Sequence, residues 1–250
     1  MLRQELLTYL NQFLDITRFH DYAPNGLQVE GKEEIQKIVL GVTASLALIE
    51  AAKEQQADLL LVHHGWFWKG ESPTITGMKY RRLKALMETD MNLVAYHLPL
   101  DAHPEVGNNA QLARRLGFRV DECIGEQNLL CIGSLIDGSL SVDKVVGRVA
   151  MELGRVPLVL GPKQRQIHRV GWCSGAAQDF LGLAAQAGCD LFLSGEASEQ
   201  TTHEANEYGV TYIGAGHHAT ERYGIQALGE HLKKQFPNLE VQYIEKDNPV

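Results

Sequence analysis

Twice along this chain an apolar stretch, a helix-patterned segment and a second apolar run follow one another, and the second run ends abruptly in polar residues. The first copy is Gly41-Val-Thr-Ala-Ser45, a helical segment, then Ala57-Asp58-Leu-Leu-Leu-Val-His63-His64-Gly65. The second is Gly171-Trp-Cys-Ser-Gly175, a helical segment, then Gly188-Cys-Asp190-Leu-Phe-Leu-Ser-Gly-Glu196. The likeness continues in Val94-Ala-Tyr-His97-x-x-x-Asp101 and Tyr212-Ile-Gly-Ala-Gly-His217-x-x-x-Glu221. Strands alternating with helices imply mostly parallel sheets. The repetition predicts an α/β fold of two similar half-domains, facing each other across a metal-containing cleft at the strand ends, where open α/β sheets bind ligands.

The division is placed near residue 125, giving domains 1–125 and 126–250 joined by an insert at about 120–166. The insert carries a strand at 129–136 and a helix at 142–153, and the N-terminal helix or C-terminal strand is free to cross over. Apolar spacing predicts further helices at 2–13, 45–56, 78–89, 108–116, 177–187, 198–208 and 220–235. Strands are expected at 37–43, 58–62, 92–96, 169–173, 190–193, 210–213 and, as a final edge, 240–244. Residues 21–31, with Pro24 and Asn25-Gly26, read as a loop.

The polar tails carry the chemistry. His63 and His64 close an apolar strand, and His97/Asp101 and His217/Glu221 repeat one spacing that a helix turn brings onto a single face. Imidazole and carboxylate suit a borderline divalent metal. Six such side chains exceed what one ion needs, so the candidate ligands His63, His64, His97, Asp101, His217 and Glu221 point to two divalent ions. Neighbouring side chains of a strand leave on opposite sides, so His63 and His64 are expected to serve different ions, with Asp101 or Glu221 bridging. Two cations about 3.5–4 Å apart activate a shared water, which is hydrolytic chemistry, with Glu221 and His97 as the catalytic candidates. Iron is favoured for a histidine–carboxylate set without cysteine; zinc and manganese accept the same donors.

Glu196 and His218 are candidates for supporting the ligands or meeting substrate, and a helix-capping carboxylate is an equally good reading of Glu196. His103, His168, His203 and His231 read as surface or satisfied histidines. Trp66-Phe67-Trp68 is read as packing ahead of an aromatic wall for a planar base, and Lys69 as solvated. There is no phosphate-binding G-x-x-x-x-G-K-[ST] and no complete dinucleotide fingerprint.

A net charge of −8 disfavours sequence-independent nucleic-acid binding. No stretch approaches the roughly 20 apolar residues of a membrane helix, and charge at Arg3 and Glu5 argues against a signal peptide. Cys123, Cys131, Cys173 and Cys189 show no C-x-x-C spacing and read as reduced thiols of a cytoplasmic protein.

On Asn25-Gly-Leu-Gln-Val-Glu-Gly31, Leu61-Val-His-His-Gly-Trp-Phe-Trp68, Tyr96-His-Leu-Pro-Leu-Asp101, Ser194-Gly-Glu196 and Gly216-His-His-Ala-Thr-Glu221, the chain resembles the GTP cyclohydrolase 1 type 2 homologues, or Nif-three-like proteins, in their compact bacterial branch. The resemblance implies two α/β domains and a di-metal centre on His63, His64, Asp101, His217 and Glu221, with His97 a ligand or close neighbour. It also implies a ring-shaped homohexamer and hydrolysis of a purine nucleotide, GTP or a damaged one, by metal-activated water. Phosphoester or peptide hydrolysis at the same centre, or a metal-binding assembly role without turnover, are the alternatives.

Overall fold

The computed structural model describes residues 1–250. The chain runs through α1 (Arg3–Phe13), β1 (Gly26–Val29), β2 (Lys37–Thr43), α2 (Leu46–Glu54) and β3 (Leu59–His64). It continues through α3 (Gly77–Met87), β4 (Asn92–Ala95), α4 (Leu98–Ala102) and α5 (Asn108–Leu116). Next come β5 (Phe118–Ile124), β6 (Leu130–Leu135), β7 (Leu140–Ser141), α6 (Val142–Leu153), β8 (Leu158–Leu160) and β9 (Gln166–Ile167). The last elements are β10 (Arg169–Trp172), α7 (Leu181–Gln186), β11 (Leu191–Ser194), α8 (Thr201–Tyr208), β12 (Thr211–Gly214), α9 (His217–Gln235) and β13 (Glu240–Tyr243).

Two compact units result. The first comprises Met1–Gly107 and Gly224–Asp247, the second Asn108–Tyr223 and Asn248–Val250. The break falls at Gly107 rather than near residue 125 because β5 pairs along its length with β6 and so belongs to the second sheet.

The first unit holds a sheet of order β1-β4-β3-β2-β13, with β4, β3, β2 and β13 parallel and β1 antiparallel. Strand alternation splits its apolar side chains between two faces. Ile38, Leu40, Leu59, Leu61 and Val94 pack with Leu6 and Leu10 of α1 and Leu228 and Leu232 of α9. Val39, Leu60, Val62 and Leu93 pack on the other face with Leu48 and Ile49 of α2 and Leu86 of α3. A sheet buried on both faces explains why β3 reads as an unbroken apolar run.

The second unit holds a sheet of order β5-β6-β10-β11-β12-β8. Its centre, β10-β11-β12, is parallel, and the flanking pairings with β6, β5 and β8 are antiparallel. Val170, Trp172, Leu191, Leu193 and Ile213 form a core with Leu112 of α5, Val145 and Val149 of α6 and Tyr223 of α9. Short β7 and β9 pair with each other.

The duplication is carried in the wiring of each unit. In both, a helix precedes an antiparallel strand (α1 and β1; α6 and β8), and three parallel strands alternate with helices thereafter. The supposed insert therefore supplies the second copy's first helix and strand. Asp58 Oδ2 accepts from the N–H groups of Gln36 and Lys37, and Asp190 Oδ2 from those of His168 and Arg169. Pairing Asp58 with Asp190 sets Lys37 against Arg169, so the Gly41–Gly171 match is two residues out of structural register. In the same way Asn92 and Thr211 match, which sets Gly216, not His217, against His97. Strand β1 lies inside the segment expected to be loop, and α9 begins at His217, three residues earlier than expected.

Candidate metal centre

In the first unit, β3 delivers His63 and His64, the turn from β4 into α4 delivers His97, and α4 itself delivers Asp101. His63 is fully buried and its Nδ1 lies 3.0 Å from the Tyr96 carbonyl. A carbonyl only accepts, so Nδ1 carries the proton and Nε2 presents its lone pair, 3.6 Å from Asp101 Oδ1. His64 Nδ1 is 3.3 Å from the Thr43 hydroxyl. His97 Nδ1 is 2.7 Å from Asp21 Oδ1. The donor atoms of His63, His64 and His97 lie within 4.8 Å of one another, close enough to hold an ion.

The expectation that His63 and His64 diverge is corrected here: their ring centroids are 4.4 Å apart. Alternation fixes where Cβ leaves the backbone, and at a strand end the longer imidazoles are free to swing back together.

Asp21 was not singled out from sequence. Besides His97, it accepts from Tyr22 and Leu98 N–H groups and from Asn25, while Asn25 accepts the His97 N–H. Burial pushes the Asp21 pKa up, but hydrogen bonding and charge from His97, with help from Asn25 and Tyr22, outweigh it and hold it below 3.8. Trp68 stands edge-to-face on His97, with centroids 4.9 Å apart, and also beside His64. Trp66, by contrast, is buried and donates to the Ala44 carbonyl, as packing requires.

In the second unit the candidate ligands share the first turn of α9. His217 Nε2 is 2.9 Å from Glu221 Oε2, and His217 Nδ1 is 2.5 Å from Glu196 Oε1, at the end of β11. Burial opposes a charge on His217, but Glu221 and then Glu196 prevail and push its pKa up to about 9. Glu196 thus caps no neighbouring helix; its carboxylate holds the His217 Nδ1.

Glycine makes the space. A Cβ on Gly175, which sits at φ +65°, would lie 2.1 Å from Glu221 Oε1, and one on Gly195 would lie 2.7 Å from the His217 Cα. The Gly175 N–H donates to Thr220 Oγ1. His218 is buried and its N–H donates to the Val250 carbonyl oxygen. His103 accepts the Glu105 and Val106 N–H groups and packs on Phe13, and His231 bonds Tyr9, so both are satisfied as read from sequence.

The chain is thus an α/β protein of two similar units, with histidines and carboxylates gathered after its strands in groups that could hold a metal ion. The chain belongs to the Duf34/NIF3 (NGG1p interacting factor 3) family, whose model matches residues 1–249. A relative from Neisseria meningitidis serogroup A, described as a GTP cyclohydrolase 1 type 2 homolog, is 54% identical over 249 residues, covering 100% of this chain and 99% of the relative. A solved structure described as protein ybgI, of unknown function, is 49% identical with a TM-score of 0.95 over 100% of both chains. The structure of a Thermus thermophilus protein is 37% identical with a TM-score of 0.88, again over 100% of both chains. No helix is long and apolar enough to cross a membrane.

Proposed function

We propose that this chain is a di-metal-dependent hydrolase of purine nucleotides, GTP or a damaged relative, with His63, His64, His97, Asp101, His217 and Glu221 together holding two divalent ions. One observation carries the reading. All four candidate histidines are engaged through Nδ1, by Tyr96, Thr43, Asp21 and Glu196, which fixes the orientation of each ring. Metal-ligating histidines are commonly oriented in this way by a partner on the other ring nitrogen. The donor set fits: nitrogen and oxygen atoms only, two of them from the buried carboxylates Asp101 and Glu221. Iron suits this set, and zinc and manganese accept it.

When bound, the ions would supply Lewis acidity to activate water and polarise the substrate. The chain's own residues do the rest. Tyr96, Asp21 and Glu196 hold the Nδ1 protons of three imidazoles, and Asp101 and Glu221 would offer carboxylate oxygens to the ions. His97, whose proton rests against Asp21, is placed either to bind metal or to carry a proton. Trp68 beside it offers a flat apolar surface for a planar base. The nucleotide assignment draws further support from the name of the 54% identical relative. We place the working protein in the cytoplasm as a ring-shaped homohexamer, a state that light scattering tests directly.

The functional test is turnover. Metal-replete protein should release formate from GTP or from another member of a purine nucleotide panel. Phosphate or amine release would transfer the centre to phosphoester or peptide substrates. Two bound ions with no turnover on any panel would leave a metal-binding assembly role.

A further inference from the structure

The four cysteines, unremarkable in spacing, are not equivalent in space. Strands β5 and β6 form an antiparallel hairpin in which Cys123 is the direct cross-strand partner of Cys131. Their Sγ atoms lie 2.7 Å apart. Directly opposed residues of an antiparallel pair have Cα atoms about 4.5 or 5.5 Å apart, and both values fall in the window of roughly 4.4–6.8 Å that a disulfide requires. Past an irregularity between Val120 and Glu122 the register runs Glu122–Ile132, Cys123–Cys131 and Ile124–Leu130, and the connection that follows holds Gly125, Gln127 and Asn128 at φ +76°, +51° and +59°.

The two thiols also differ as reactants. Cys131 is buried, on a strand flanked on its far side by β10, whereas Cys123 is half-buried on the sheet's edge strand. The hydrogen bond that the Cys131 S–H makes with Cys123, then burial, push the Cys131 thiol pKa far up. Cys123 is therefore the thiol an oxidant meets first, and Cys131 the one that resolves it.

We propose that Cys123 and Cys131 form a reversible dithiol–disulfide site, oxidised by hydrogen peroxide. The Cys123 sulfur attacks the peroxide, breaking its O–O bond and leaving a sulfenic acid and one water. The Cys131 sulfur then displaces the sulfenic oxygen, which departs with the Cys131 proton as a second water. Two thiols lose two electrons, and the peroxide gains them. A dithiol reagent reverses the step by exchange. In a reducing compartment such a bond is transient and redox-responsive rather than structural. The site is chemically separate from the histidine–carboxylate groups, so it stands or falls independently of the proposed hydrolase activity.

The test uses the full-length reduced protein, hydrogen peroxide and thiol titration with intact-mass and peptide mapping. Oxidation should drop the titratable thiols of the unfolded chain from four to two, remove the mass of two hydrogens, and yield a peptide linking positions 123 and 131 that dithiothreitol cleaves. C123S should keep its fold by circular dichroism and form no linked peptide. C131S should instead stop at a sulfenic acid on Cys123, trapped by dimedone. Retention of all four thiols, or a link or sulfenic acid found elsewhere while Cys123 and Cys131 stay reduced, would overturn the proposal.

Discussion

The two units share one wiring plan and arm it differently. Each locks the start of its parallel strands with an aspartate, Asp58 or Asp190, that takes two backbone N–H groups at the strand before it. Each gathers its polar residues where those strands end. Where the first unit has His63-His64 at the end of β3, the second has Gly195-Glu196 after the matching β11. The first unit assembles imidazoles from separate segments and steadies them with a carbonyl, a hydroxyl and a loop aspartate. The second relies on one turn of one helix, with a carboxylate on each nitrogen of His217. A duplicated scaffold fixes where each unit's side chains can meet; what they are is open to divergence.

The strongest way to break the comparison is Glu221→Ala. Native protein, purified without chelator or metal-affinity resin, should carry about two ions per chain, and the variant should lose at least one by elemental analysis. Gly175→Ala should imitate it, because the added Cβ collides with the same carboxylate. One ion or none in the native protein would remove the two-metal reading altogether.

Substituting the orienting carboxylates sharpens it. Asp21→Asn in the first unit and Glu196→Gln in the second should each weaken metal binding by about 10–100-fold while leaving the ligands in place. Equal losses would mean that both units depend on oriented imidazoles to the same degree. No loss in competition titrations against a chelator would reduce both contacts to packing.

The strand locks should respond alike. Asp58→Ala and Asp190→Ala each strand two N–H groups, and each should lower stability by about 1–3 kcal/mol, read as a fall in Tm. If only one matters, the duplication is geometric and not energetic.

The smallest effect is in pH, and its sign differs between the units in metal-free protein. Asp21 and Asp58 have pKa values held below 3.8. Their contribution is present above 3.8 and is lost as the pH falls through the lowered values. For His217, raised from 6.5 to about 9, the contribution is complete below 6.5 and lost as pH rises through about 9. Chemical denaturation of metal-free protein across this range should show an acid loss that Asp58→Asn diminishes and an alkaline loss that His217→Ala abolishes.

Much of this was legible in the sequence, for identifiable reasons. The buried strands β2, β3, β4, β10, β11 and β12 announce themselves by apolar runs, and the histidines stand out because they end such runs. Strand β5 did not, because Arg119, Val120, Asp121 and Glu122 are exposed at a sheet edge and show no alternation. Strands β1 and β8 are short edges, and β1 hid behind the turn signal of Asn25-Gly26. The helical start at His217 was hidden by two polar residues. Asp21 has no periodicity to betray it: its role arises only when the chain folds back, 76 residues along, to His97.

Helix α9 begins in the second unit and ends in the first, and β13 follows it there. The core of the first unit needs Ile225, Leu228, Leu232, Leu239 and Val241, all from this late segment. On a ribosome, therefore, the half begun first is not completed until near the end of synthesis. Residues 1–107 must wait, with part of one face of their sheet uncovered, until Asn108–Tyr223 have been made, which makes that interval the protein's time of greatest exposure to aggregation and to chaperones.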